Sequence, residues 1–429
     1  MQKIHIKNFG PIRDVELDIH DAIFLIGPQA SGKSTISKAI WFFRSLRYDM
    51  GRTVGTFDDS GNDDLFIYFQ KNILVRFRSL FGKVKLDEGF FMKFCYGNGV
   101  EVSLVCDEEF PLVRLGDSFK DKLKTVYEGM RVRRDDSRKE KDEYGLSRDA
   151  IIHRNAVLNN LIYKDAFSFF DDYVGDYFMP AGRITSTGSS ETLVGKISND
   201  LMVSLIEAVK YKERLGMGYE FVRNERKKFY MESILEDHLD LAEELIASIL
   251  CGEYRSHRGV ETLKINDKKQ VDLAFASSGQ QESLWVLQTI FLLILDKVES
   301  ALIVEEPEAH LFPEAQRNIV ALMSLFLSAM PRNQFVITTH SPYILSSANN
   351  LLYAHQVGQK KPEETGKIVD PKLWMDPKRV GAYFVENGGI RSIMDDELGM
   401  MRAEEIDSVS RKINEEFDRL FDLDNEVSE

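Results

Sequence analysis

The stretch Gly27-Pro28-Gln29-Ala30-Ser31-Gly32-Lys33-Ser34-Thr35 fits the phosphate-binding pattern G-x-x-x-x-G-K-[ST]. Its glycines let successive backbone N–H groups turn inward around a β-phosphate, and a helix starting there adds partial positive charge. Pro28, Ala30, Ser31 and Thr35 complete the cradle, Lys33 reaches the β- and γ-phosphates, and the Ser34 hydroxyl serves Mg²⁺. Both flanks suit the loop. Ala22-Ile23-Phe24-Leu25-Ile26 reads as a buried parallel strand, and Ile36, Ala39, Ile40 and Phe43 recur at helical spacing after it. A loop meeting the pattern by chance would not need both flanks in register. The expected ligands are a nucleoside triphosphate and Mg²⁺.

A second cluster lies far downstream. Ala301-Leu302-Ile303-Val304 is another apolar strand, ending in Glu305-Glu306-Pro307-Glu308. Two carboxylates at a strand end opposite a phosphate loop can divide the chemistry. Glu305 would hold Mg²⁺ through water, and Glu306 would polarise the attacking water. Acidic residues merely closing a strand are the plainer alternative, yet burying adjacent carboxylates without a cation is costly. Gln334 to Thr339 is a third such strand, with His340 at its end. Ligands of open α/β sheets gather at the carboxyl ends of strands, which places His340 near the γ-phosphate rather than in the core. Ser277-Ser278-Gly279-Gln280 precedes an apolar helix carrying Leu284, Trp285, Leu287 and Ile290. Small hydroxyl residues and a glycine at a helix N-terminus make either an ordinary cap or an anion site.

The remaining chain must position these groups. Residues 1–20 alternate as two strands about the turn Asn8-Phe9-Gly10-Pro11. Tyr48 to Asp64, rich in Gly, Asp and Thr, reads as an exposed connection, and Leu65 to Leu80 as a packed helix. Residues 84–115 alternate again, with a hairpin at Gly97-Asn98-Gly99. Asp176 to Arg183 reads as a strand stopped by Pro180 and Gly182, leaving Arg183 to approach the nucleotide or satisfy loop carbonyls. Lys196 to Leu250 is patterned as short helices, and Ala403 to Leu423 as one amphipathic helix with Ile406, Val409, Ile413, Phe417, Leu420 and Phe421 on a face. Two charged runs, Arg131 to Glu143 and Arg223 to Lys228, are either solvated surface or arms for phosphate backbones.

Composition narrows the class. The chain has 429 residues, 43% hydrophobic and 29% charged, as a soluble protein with ample core material has. A net charge of −14 argues against a surface that wraps nucleic acid throughout, although one basic face remains compatible with it. Three dispersed cysteines, Cys95, Cys106 and Cys251, suggest neither a disulfide framework nor a metal site, so a cytoplasmic location is expected. The most membrane-like run, Leu284 to Leu295, is interrupted by Gln288 and Thr289 and is too short to span a bilayer.

Taken together, the motifs resemble those of the ABC-type ATPases. Ser277-Ser278-Gly279-Gln280 matches the signature loop, Glu305-Glu306 the Walker B pair, Pro307 to Pro313 the D-loop region, and His340 the switch histidine. Asn8-Phe9-Gly10, Glu-Glu-Pro-Glu-Ala-His-Leu-Phe-Pro and Thr-Thr-His-Ser-Pro resemble the RecF/OLD-type branch of DNA-repair and anti-phage ATPases. Ala276 stands where the signature usually has Leu, and Glu305 where Asp is usual. No Q-loop glutamine stands out, Gln70 being the nearest candidate. The stretch after His340 is too short for the Toprim nuclease domain that OLD-type proteins often carry, and Asp395-Asp396-Glu397 reads as solvated charge.

The resemblance implies an α/β P-loop ATPase head with a mixed β-sheet core and a mainly helical insertion. The expected segments are an N-terminal lobe over 1–120, an inserted region over 121–265, a C-terminal lobe over 266–360 and an extension over 361–429. It implies ATP hydrolysis by a homodimer or higher homo-oligomer, with composite sites in which Ser277 and Gly279 act on the partner's nucleotide. Two roles stay open: a sensor controlling an effector protein, a nuclease or toxin in anti-phage defence, or a RecF-like ATPase acting directly on DNA.

Overall fold

The computed structural model of the chain describes residues 2–57, 64–82, 84–107, 110–116, 119–144, 161–182, 218–230, 235–257, 260–402, 414–421 and 423. A hairpin of β1 (Gln2–Phe9) and β2 (Ile12–Ile19) precedes β3 (Ala22–Ile26), the phosphate loop and α1 (Lys33–Thr56). Next come α2 (Leu65–Phe81), the strands β4 (Phe91–Cys95), β5 (Glu101–Asp107) and β6 (Phe110–Leu115), and α3 (Phe119–Tyr144). A helix over 161–170, α4, leads to β7 (Gly175–Met179). Then follow α5 (Tyr219–Tyr230), α6 (Glu236–Leu250) and a small sheet of β8 (Glu253–His257), β9 (Val260–Asn266) and β10 (Lys269–Asp272). The last part comprises α7 (Ser278–Leu295), β11 (Ser300–Glu305), α8 (Pro313–Ala329), β12 (Gln334–Thr339), α9 (Pro342–Gly358), β13 (Val380–Glu386) and β14 (Gly389–Ser392).

The central sheet has the order β14-β13-β3-β12-β11-β7. Every neighbouring pair is parallel except the β13–β14 hairpin. The three apolar runs that read as buried strands are its middle: all residues of β3 and β11 are buried, and all of β12 but Gln334. Their side chains alternate between two cores, as the two-residue period of a strand requires. Phe24, Leu302, Val304, Phe335 and Ile337 join α6, α7, α8 and α9 on one face. Ile23, Leu25, Ile303 and Val336 join α1, α2 and the antiparallel sheet β2-β1-β4-β5-β6 on the other. Covering both faces explains why these strands show no alternation in sequence. α7 is buried nearly all round, which is why its sequence is apolar without a stripe.

Two expectations change, and one element is new. The exposed connection from Tyr48 does not exist as such, because α1 continues to Thr56. Tertiary contacts override the weak local propensity: Asp49 accepts a hydrogen bond from Arg76 of α2 at 2.9 Å, and Gly51 packs against the Tyr163 ring. Residues 58–63 of that stretch lie outside the described residues. The segment expected as an extension over 361–429 also contributes to the central sheet, since β13 runs parallel to β3 with Ala382 opposite Phe24. The small sheet β8–β9–β10 has no counterpart in the sequence reading, its residues being half exposed and polar.

Other expectations fall partly outside the described residues. The first charged run lies within α3, and the second within α5. Arg183, residues 196–217 of the stretch patterned as short helices, and Ile406, Val409 and Ile413 are not described. Residues 414–421 are helical, with Phe417, Leu420 and Phe421 exposed.

Candidate nucleotide site

The carboxyl ends of β3, β11, β12 and β7 meet at one edge of the sheet, and the residues expected to act on a nucleotide follow from those ends. Gly27 leaves β3 at φ 150°, where a Cβ would lie 2.1 Å from the Val385 carbonyl oxygen of β13. Only glycine fits between the loop and that strand. Ala30 and Gly32 also adopt positive φ, turning the loop back on itself before α1 starts at Lys33. α1 has no acidic residue in its first turn, so nothing neutralises the positive end of the helix before an anion does. The Ser31 Oγ is buried without a hydrogen-bond partner. A phosphate oxygen is the kind of acceptor that such a buried donor wants, so these residues fit a nucleotide.

Lys33 is buried, and its Nζ donates to the Gly27 carbonyl at 2.8 Å and the Pro28 carbonyl at 2.7 Å. Burial pushes its pKa down to about 8, against the opposing charges of Glu306 and Glu308. A consequence can be measured. Bound phosphates favour the protonated amine, so the bound-state pKa exceeds the free value of about 8. Below pH 8 both states are protonated and affinity is flat with respect to this group. Above it, ATP affinity falls by up to about tenfold per pH unit and binding takes up a proton. Calorimetry at pH 9 in buffers of different ionisation enthalpy should register that uptake. Its absence would show that the lysine is already charged in the free loop.

Glu305, at the end of β11, is buried. Its Oε1 accepts from the Ser37 hydroxyl of α1 at 3.3 Å, and its Oε2 from the Ala181 N–H beyond β7 at 3.2 Å. Glu306 follows in a left-handed conformation, φ 46°, which a non-glycine residue adopts only when its surroundings hold it there. The Glu306 N–H donates to the Thr338 carbonyl at 2.9 Å, which ties the turn to β12 and leaves the carboxylate half exposed. His340 Nε2 lies 3.6 Å from Glu306 Oε1. Burial, then the Lys33 charge, lowers the His340 pKa, while Glu306 and a hydrogen bond to the Gly27 backbone raise it. The ring is therefore neutral at pH 7 and joins phosphate loop to carboxylate.

Glu308 braces this arrangement from beneath. Its Oε1 accepts from Thr339 Oγ1 at 2.6 Å and the His340 N–H at 2.9 Å, and burial raises its pKa. It holds the His340 backbone against the loop after β11. Neither Ser37, the Ala181 N–H nor Glu308 is assigned a role by the motifs. Only Ser37 leaves a trace, one helical turn beyond Lys33 on the same face.

The serine-rich loop is placed differently. Ser277 caps α7: its Oγ accepts from the Gln280 N–H at 3.4 Å, and the Gln280 side chain accepts from the Ser277 N–H at 3.0 Å. Gln280 Nε2 donates to the Leu250 carbonyl at 2.6 Å. Gly279 lies so close to the His310 carbonyl that a Cβ would stand 2.5 Å from its oxygen, linking this loop to the one after Glu308. α7 belongs to the core on the opposite face of the sheet from α1. Among the described residues, no hydrogen bond or ion pair joins Ser277, Ser278 or Gly279 to the phosphate loop. Ser277 and Ser278 are exposed. Gln70 is no part of the site: its side chain donates to the Val113 carbonyl of β6 at 2.8 Å.

A sequence profile for the AAA ATPase domain matches residues 1–345. The chain belongs to this AAA ATPase domain family. It is thus an ATPase, with an α/β architecture in which the phosphate loop joins β3 to α1 of a mixed sheet and the two carboxylates follow β11. Among solved structures the ATPase is similar to an Smc head bound to the C-winged helix domain of ScpA, with 13% identity, TM-score 0.41 and coverage of 91% of this chain and 96% of that one. It is similar to the SMC head domain from Thermotoga maritima, with 11% identity, TM-score 0.37 and coverage of 91% and 97%. A third is the recombination mediator protein RecF, with 12% identity, TM-score 0.32 and coverage of 91% and 97%. No curated protein matches the sequence.

Two further properties of the ATPase bear on its surroundings. No helix among the described residues is long and apolar enough to cross a membrane. Three of the four cations in the basic run on α5 pair with acids of the same chain. Arg223 pairs with Glu236, Asp240 and Glu243, Arg226 with Asp296, and Lys227 with Glu236.

Proposed function

We propose that ATP binds in the Gly27–Thr35 loop and brings two copies of this ATPase together, and that the dimer controls an associated effector protein. Gly27, Pro28, Ala30, Ser31, Gly32 and Thr35 cradle the phosphates, and Lys33 supplies the charge on the β- and γ-phosphates. Ser34 and Glu305 serve Mg²⁺, which when bound neutralises charge on the phosphates. Glu306 orients and deprotonates the attacking water, and His340 donates toward the γ-phosphate.

One observation supports the dimer above the rest. A capped helix N-terminus with two exposed serines belongs to the core on the opposite face of the sheet from α1, and among the described residues it makes no hydrogen bond to the phosphate loop of its own chain. It is flanked by Phe275 and Phe312, which are 85% and 77% exposed. Aromatic residues this bare beside an anion site suit burial against a second copy carrying nucleotide. Support for the effector, a nuclease or toxin of bacterial anti-phage defence in the cytoplasm, is the resemblance to RecF/OLD-type motifs. The exposed face of Phe417, Leu420 and Phe421 offers a surface for it. With the α5 arginines paired internally, no specific observation favours direct action on DNA.

Complementation tests the shared site. Ser278→Arg leaves a chain able to bind ATP but places a bulky cation where the partner's γ-phosphate approaches. Lys33→Ala leaves an intact serine loop but no working phosphate loop. Each alone should be inactive, and freely exchanging mixtures should recover part of the ATPase activity through one rebuilt site per heterodimer. A fully active Ser278→Arg protein would remove the serine loop from the site. For the effector, purification from the native host with Glu306→Gln and ATP should retain a stoichiometric nuclease or toxin subunit, and retention of DNA alone would favour the RecF-like role.

A further inference from the structure

Beyond Lys33, α1 carries a polar stripe that the phosphate loop does not explain. Lys33, Ser37, Arg44 and Arg47 lie within one narrow face of the helix, and all four are buried. Ser37 Oγ, wholly buried, touches the Ser34 carbonyl at 3.1 Å and Glu305 Oε1 at 3.3 Å. Further along, Arg44 Nε meets Asp176 Oδ1 at 3.0 Å, and its Nη2 meets Asp172 Oδ1 at 3.2 Å. Arg47 meets the other oxygens of both carboxylates at 2.6 Å. None of these four side chains is more than 4% exposed. Asp176 lies in β7, the strand that ends just before Ala181.

Buried ion pairs seldom add net stability, because desolvation offsets the attraction, so their use is often to fix one arrangement. Here that arrangement is the position of β7 against α1, and through it the Ala181 N–H that holds Glu305 Oε2. Glu305 has one more rotatable bond than aspartate and so needs more restraint to present one geometry to a small, geometrically demanding cation. Its two oxygens are held from two sides, one by α1 and one by the turn after β7.

We propose that Ser37 and the Ala181 N–H are positioning groups that together aim the Glu305 carboxylate at the nucleotide's Mg²⁺, with Arg44 and Arg47 anchoring β7 so that the aim is kept. This rests on the metal role given to Glu305 under Proposed function. Neither group touches the reacting atoms. Their effect should therefore appear in how much Mg²⁺ strengthens nucleotide binding, and not in binding without it.

The test is a calorimetric titration with a non-hydrolysable ATP analogue, in EDTA and in saturating Mg²⁺, for the native protein, Ser37→Ala, Ala181→Pro and Glu305→Gln. Substitutions in the arginine cluster risk misfolding and are left out. In Ser37→Ala and Ala181→Pro, affinity in EDTA should stay within about twofold of native. The strengthening by Mg²⁺ should fall by roughly tenfold, the lower end of what losing a group behind a metal ligand costs. If Glu305→Gln loses the Mg²⁺ effect while both other variants keep it, the positioning inference is wrong and the metal role stands. If Glu305→Gln itself keeps the full effect, the metal role fails and the inference with it. Equal weakening with and without Mg²⁺ would make Ser37 and Ala181 merely structural and would also overturn it.

Discussion

Lys33→Ala should weaken ATP binding by more than a hundredfold. In the free loop the Nζ donates to the Gly27 and Pro28 carbonyls and feels the charges of Glu306 and Glu308. With nucleotide bound, those protons turn to the β- and γ-phosphates, and a charge-assisted hydrogen bond contributes about 1.5–3 kcal/mol. Two such bonds amount to roughly 3 kcal/mol or more, which corresponds to at least a hundredfold in affinity. The fold should tolerate the change, because the substitution removes a buried cation that burial already disfavours. Calorimetry with ATP checks both parts. An unchanged dissociation constant would overturn the assignment of the phosphate loop.

Glu306→Gln should separate binding from chemistry. Glutamine keeps the shape, and the left-handed backbone at this position is held by the Thr338 carbonyl rather than by the side chain. ATP affinity should therefore stay near native. Hydrolysis should fall by roughly two orders of magnitude or more, the scale of a lost general base. Single-turnover hydrolysis measures the step directly. Normal turnover would shift the role to another group, with Glu308 disfavoured because both groups that hold its Oε1 lie on β12 and His340, and its carboxyl is buried beneath the site.

What the sequence showed of this site follows from how local each feature is. A phosphate loop is one strand, one turn and one helix in succession, so Gly27 to Ser34 and the flanking β3 and α1 were readable from spacing alone. The same holds for Glu305 and Glu306 at the end of β11 and His340 at the end of β12. Contacts made across the sheet leave no such pattern. That Ala181 would hold Glu305 depends on β7 pairing with β11, two strands far apart in the chain. The length of α1 is hidden for a related reason: Asp49 and Gly51 look like breakers until Arg76 and Tyr163 are beside them. The place of β13 against β3 was hidden because a strand joins a parallel sheet through tertiary packing, not through a turn.

The shared nucleotide site is the centre of the account, and one cross-linking measurement reaches it most directly. Gln29, on the exposed rim of the phosphate loop, and Ser278, on the exposed serine loop, are each replaced by cysteine in separate Glu306→Gln chains freed of Cys95, Cys106 and Cys251. The two proteins are mixed with a short bismaleimide linker, with and without ATP and Mg²⁺. The expected result is a covalent heterodimer that forms only when ATP is present. No heterodimer, in a sample where calorimetry shows both chains to have bound ATP, would contradict a site built from two copies.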